Sequence, residues 1–125
     1  MQEAVVIVVG MRKLPLHEEL VRTLREKGVE VLDLDSYEEV PAALRQHRKA
    51  AIVVHSQHRN NGAHHVLQGQ WAVMRNAPVL VVVNHTDLGE YYELMSEGAL
   101  GYYEVAEGPR RISAAVESIA MRSAA

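Results

Sequence analysis

The chain has no cysteine, no phenylalanine and one tryptophan, and aromatic residues make up only 5% of its 125 positions. Without cysteine, disulfides, iron–sulfur clusters, thiolate zinc sites and cysteine nucleophiles are excluded. The same absence suits a reducing compartment, so a cytoplasmic location is the expectation. Long apolar runs are missing as well. The opening "MQEAVVIVVG" begins beside an acid and is too short for a secretory signal or a membrane span. There is also no excess of positive charge: thirteen Lys and Arg against sixteen Asp and Glu leave a net −3. Neither nucleic acid nor an anionic membrane is therefore an expected partner.

What remains is an ordinary globular composition, 48% hydrophobic and 23% charged. The length suits one domain, residues 1–125, with a self-sufficient core. Histidine stands out, with five of the seven falling between His55 and His85.

Four apolar runs form the skeleton: 4–10 (AVVIVVG), 29–35 (VEVLDLD), 50–56 (AAIVVHS) and 78–84 (PVLVVVN). Three are continuous and valine-rich, as strands of a parallel sheet buried on both faces must be. The second mixes Val29, Val31, Leu32 and Leu34 with acids, which points to a sheet edge. Helical patterns separate the strands. In 16–28, Leu16, Leu20, Val21 and Leu24 share a face and Gly28 closes the helix. In 36–48, Ser36 and Glu39 form a capping-box signature, with Pro41 tolerated early in the helix. A third helix covers 63–76, interrupted by Gly69, and a fourth covers 88–98. Residues 101–108 read as a fifth strand and 109–125 as a last helix opened by Pro109.

The alternation predicts an α/β fold: (βα)5, a doubly wound five-stranded parallel sheet of order 2-1-3-4-5. Its crevice lies at the carboxyl ends of strands 1, 3 and 4, around Gly10-Met11, His55 and Asn84-His85.

The chain resembles a response-regulator receiver domain over its whole length. The resemblance rests on "EKGVEVLDLDSYEEVPAAL", on "SEGALGYYEV" with Gly98-Ala99 and Tyr102, and on Gly62 in the loop after strand 3. It implies a flavodoxin-like fold and a role in two-component signal transduction. It also implies five chemical positions, and this sequence departs from the pattern at each. Gly10 and Met11 stand where an acidic pair would bind magnesium. His55 replaces the phosphoacceptor aspartate. Asn84, or Val83 without a gap, occupies the hydroxyl position. Val105, or at best Glu104, replaces the lysine, and Ala106 the proline after it. Magnesium needs hard oxygen ligands and a transferred phosphoryl group needs cationic stabilisation. The expectation is a pseudo-receiver in which aspartyl phosphorylation is lost, with no cofactor.

The histidines allow a second reading. His55 and His85 on neighbouring strand ends, with His58 or His64 from the loop, would make a zinc-, nickel- or copper-type ligand set. With His65 they are expected on the crevice side, where clustered imidazoles also offer a pH sensor. The spacing matches no metal motif, and the plainer reading has His55 bonded to backbone and the others solvated. Catalysis is not expected. Ser56 faces away from His55 on a strand, no G-x-S-x-G elbow exists, and no glycine-rich phosphate loop is present.

One surface invites a protein partner or a second copy. Tyr91, Tyr92, Tyr102 and Tyr103, with Leu94 and Met95, fall within thirteen residues. Neighbouring tyrosines cannot both face the core, and exposed tyrosine suits interfaces. In receivers the face made by the fourth helix, fifth strand and fifth helix commonly carries such contacts. Arg110, Arg111, Glu104 and Glu107 would form its charged rim. Trp71 and the valines of strands 1, 3 and 4 are assigned to the core.

Overall fold

The computed structural model describes residues 4–56, 63–67 and 77–124. Five strands, β1 (Val5–Val9), β2 (Glu30–Leu34), β3 (Ala51–Ser56), β4 (Val79–Val83) and β5 (Gly101–Glu104), form one parallel sheet in the order β2-β1-β3-β4-β5. The helices are α1 (His17–Glu26), α2 (Val40–Gln46), the helical residues 63–67 (α3), α4 (Leu88–Ser96) and α5 (Pro109–Ala124). This is the expected doubly wound α/β topology.

The continuous valine runs supply two cores at once. Successive strand residues point to opposite faces, so Val6, Val8, Val53 and Val82 pack beneath α1 and α5. Ile7, Val9, Ile52, Val54, Val81 and Val83 pack beneath α2, α3 and α4. Burying each such side chain is worth roughly 1.5–3 kcal/mol against leaving it exposed. β2 is an edge strand, which explains the acids mixed into it.

Local signals set the joints. Leu20 and Leu24 of α1 are fully buried, and Gly28 continues past the helix at a φ of 81°. A left-handed residue there favours glycine, and it lets Val29 N–H reach the Leu24 carbonyl at 3.0 Å. Ser36 Oγ accepts from Glu38 N–H and Ser36 N–H donates to Glu39, both at 3.2 Å. That box caps a 3-10 turn, Tyr37–Glu39, which feeds α2 with Pro41 in its first turn.

The fifth strand is shorter than its sequence implies. It ends at Glu104, and Val105–Glu107 form a 3-10 turn instead. Glu104 N–H donates to the Glu107 carboxylate at 2.8 Å, and Gly108 N–H to the Val105 carbonyl at 3.1 Å. Glu104 is still paired with Val83, the last residue of β4, so the ladder has no partner strand beyond it and the local turn takes over. His58, Gly62, Gly69 and Trp71 lie outside the described residues.

Candidate functional site

The crevice is built from the carboxyl ends of β1, β3 and β4, and its residues do different things. Gly10, at a φ of 69°, donates its N–H to the Leu34 carbonyl at 2.9 Å. Met11 turns inward and is fully buried with the α1 and α5 side chains. Val105 is half-buried against that same core. Asn84 and His85 are exposed.

His55 is 5% exposed and spans the crevice. Its Nε2 lies 3.3 Å from Asn84 Oδ1, and it also hydrogen-bonds the Gly10 backbone. Burial holds its pKa below the ordinary imidazole value, outweighing those two contacts, which favour the charged ring. The neutral ring is therefore the stable form at neutral pH. It is a bridge between the ends of β1 and β4.

Ser56 points to the other side of the sheet, as strand alternation requires. Its Oγ donates to Glu90 Oε2 on α4 at 3.0 Å. The other oxygen, Glu90 Oε1, accepts from the Tyr102 hydroxyl at 2.8 Å. Asp87 completes the set: its N–H donates to the Tyr102 oxygen at 3.3 Å, and its Oδ1 accepts from Glu90 N–H at 3.0 Å as the α4 cap. The Tyr102 pKa is pushed up to about 12, chiefly by burial. The neighbouring Glu90 and Asp87 charges add to that, while the Asp87 N–H opposes it.

The tyrosines divide between surfaces. Tyr102 packs on the α2–α4 side of the sheet and Tyr103 on the α1–α5 side. Tyr91 lies edge-on to both Tyr102 and Tyr92, each at 5.4 Å between ring centroids. Tyr92 is 69% exposed and Leu88, one helical turn earlier, 67%. Leu94, counted above with this surface, belongs instead to the core.

Among the described residues, His64 and His65 do not join His55 at the crevice. His64 Nδ1 meets Glu97 of α4 at 2.7 Å, and its Nε2 lies 3.7 Å from Glu93. His65 stacks on Tyr37 at 4.6 Å. Adjacent helical residues diverge by about 100°, so the two rings must serve different neighbours. Among the described residues no three His, Asp or Glu side chains are grouped to hold a metal ion. Metal ligation by His55, His64 and His85 finds no support among the described residues, and His58 lies outside them.

Ser56, Asp87 and Glu90 were not singled out from the sequence as a unit. Part of the signal was legible, because Asp87-x-x-Glu90 ahead of a helix is a capping signature. The reach of Glu90 to Ser56 and Tyr102 was not, since those partners lie 34 and 12 residues away.

The sheet order 2-1-3-4-5 with helices on both faces matches the flavodoxin-like fold of receiver domains. Solved structures of that class superpose over nearly the whole chain. FixJ-N matches with a TM-score of 0.79 at 23% identity, over 97% of this chain and 96% of its own. The receiver domain of Francisella response regulator 1452 matches at 0.78 and 15% identity, over 97% and 99%. Vibrio cholerae chemotaxis protein CheY4 matches at 0.77 and 18% identity, over 94% and 98%. No protein-family model and no curated protein matches the sequence. No helix among the described residues is long and apolar enough to cross a membrane.

Proposed function

We propose that the chain is a pseudo-receiver, a non-enzymatic protein-interaction module of signal transduction that works without aspartyl phosphorylation. The observation that carries this reading is His55, a buried imidazole tied to Gly10 and Asn84 at the strand end where the resemblance would have an acceptor carboxylate. The nearest acids beside the end of β1, Asp33 of β2 and Asp35 just after it, are engaged with Arg12 and, for Asp33, with His17 at 2.6 Å. Arg12 donates to Asp35 at 3.0 Å and to the Asp33 carbonyl at 3.0 Å, and pairs with the Asp33 carboxylate at 3.5 Å. At the lysine position Val105 brings no charge, so nothing there would balance a phosphoryl group.

The contact surface in this reading is the α4–β5–α5 face. Leu88 and Tyr92 are four residues apart on α4, so they form one exposed apolar stripe, backed by Tyr91 and Tyr102. Such a stripe suits a protein partner or a second copy of the chain.

The test is incubation of the purified protein with acetyl phosphate and magnesium, followed by intact-mass measurement. An unchanged mass is expected. A gain of one phosphoryl group that disappears in His55→Gln would overturn the reading, because it would make the crevice a working acceptor site.

A further inference from the structure

The charge of this chain is divided along its sequence. From Val40 to Thr86 there is no Asp or Glu, and five of the thirteen Lys and Arg fall in that stretch. All sixteen acids and the other eight cations lie outside it. Within the described residues the basic charge is densest at the α2–β3 turn, where Arg45, Arg48 and Lys49 are all exposed. None of the three has an acidic partner among the described residues. The turn is firmly shaped, with Ala50 N–H donating to the His47 carbonyl at 3.1 Å.

These side chains surround a depression of about 470 Å³ whose floor is formed by Val5 and Ala50. Ser123 of α5 donates to the Lys49 carbonyl at 2.7 Å. It also lines a neighbouring, largely apolar depression of about 440 Å³ with Pro78, Leu100, Ile119 and Arg122. Leu100 is 59% exposed beside it. The two hollows therefore meet at the Lys49–Ser123 bond, at the amino ends of β1, β3, β4 and β5. That is the pole opposite the His55 crevice.

We propose that this pole is a docking surface for an acidic polypeptide segment that carries an apolar side chain. Arg45 and Arg48 present planar forks that pair with carboxylates, and Lys49 adds a third cation. The apolar hollow beside them takes an aliphatic side chain from the same segment. A long nucleic acid fits less well. The cationic area is confined to one turn, and the acids of the rest of the chain repel an extended polyphosphate. The surface is independent of the α4 stripe, so either can fail without the other.

The experiment is fluorescence anisotropy with a short labelled peptide of glutamates around one leucine, run beside labelled single-stranded DNA of matched net charge. Arg45→Glu/Arg48→Glu is compared with Arg22→Glu/Arg25→Glu, which makes the same change in net charge on exposed positions of α1. Circular dichroism of each variant establishes that it is folded. The expected result is salt-sensitive peptide binding that weakens roughly tenfold or more in the first variant and little in the second. Three results would overturn the proposal: no peptide binding at low salt, equal weakening in both variants, or tighter binding of the DNA than of the peptide.

Discussion

The Tyr102 hydroxyl donates to Glu90 Oε1 at 2.8 Å, fastening β5 to the first turn of α4. Because Glu90 Oε2 takes the Ser56 hydroxyl as well, one carboxylate joins the ends of β3 and β5 to the helix between them. The exposed stripe of Leu88 and Tyr92 is presented by that same helix. With the Asp87 N–H that donates to the Tyr102 oxygen, three polar contacts tie the helix to the sheet besides packing.

A double-mutant cycle measures this clasp. Tyr102→Phe and Glu90→Gln should each lower unfolding free energy by about 1–2 kcal/mol, as loss of a hydrogen bond to a charged acceptor does. The double variant should lose less than the sum, by about 1 kcal/mol. Urea denaturation gives all four values. Strict additivity would mean that the two residues do not act together.

Tyr102 also sets an alkaline limit. Its folded pKa of about 12 stands above the ordinary value of 10.0. The folded state thus keeps a proton that the unfolded chain releases. This contribution is fully present below pH 10 and is lost as pH rises toward 12. Absorbance titration of phenolate should show one late-titrating tyrosine in the folded protein, absent in Tyr102→Phe. Five tyrosines titrating together while the fold persists would refute it.

On the acid side the group is His55. Burial depresses its pKa, so the unfolded chain takes up a proton before the folded one does. Stability from this group is present above the unfolded pKa, about 6.5, and is lost as pH falls from there through the folded value. His55→Gln keeps a neutral polar side chain, and its denaturation midpoint should vary less than wild type between pH 7.5 and 5. Equal pH slopes in the two proteins would show that His55 is not the responsible group.

The stripe is tested by Leu88→Ser/Tyr92→Ser. Both positions are largely exposed, so stability should change by no more than about 0.5 kcal/mol per site. Self-association or capture by a protein partner should fall. Sedimentation velocity at several concentrations reads self-association directly. A concentration-dependent species that persists in the double variant would move the contact surface elsewhere.

Gly101 opens β5 beneath a crowded spot. A Cβ there would collide with Leu80 and lie 2.8 Å from Tyr103 Cε2. Gly101→Ala should therefore cost about 1–3 kcal/mol through overpacking, seen as a lowered melting temperature. A neutral result would show that Leu80 and Tyr103 can repack.

Much of the fold was legible because its signals are local. The runs at 4–10, 50–56 and 78–84 are continuous because β1, β3 and β4 have helices on both sides, and the edge strand betrayed itself by its acids. Ser36, Glu39 and Gly28 marked their turns because each bonds to atoms a few residues away. The end of β5 was misjudged because its cause is not local. Its partner β4 stops at Val83, opposite Glu104, and the apolar pattern through Val105 does not show where the neighbouring strand ends.

The site was legible only as a set of positions. Sequence placed His55, Gly10 and Asn84 near one another, through topology. It also gathered His64 and His65 to the same place, where helix geometry sends them to Glu97 and Tyr37 instead. Ser56 was dismissed as a nucleophile because it faces away from His55, and that same orientation brings it to Glu90.

By itself, then, the sequence determined the alternation of strands and helices, the caps, the missing carboxylates and the absence of any thiol chemistry. These depend on residue type and on neighbours within a helical turn or a strand repeat. Tertiary structure alone decided that His55 bridges to Asn84, that Glu90 unites Ser56 with Tyr102, and that Lys49 meets Ser123, 74 residues away. Such contacts arise when crossover connections fold distant segments onto one sheet. Their geometry follows from how the two helical layers pack, which no short stretch of the chain encodes.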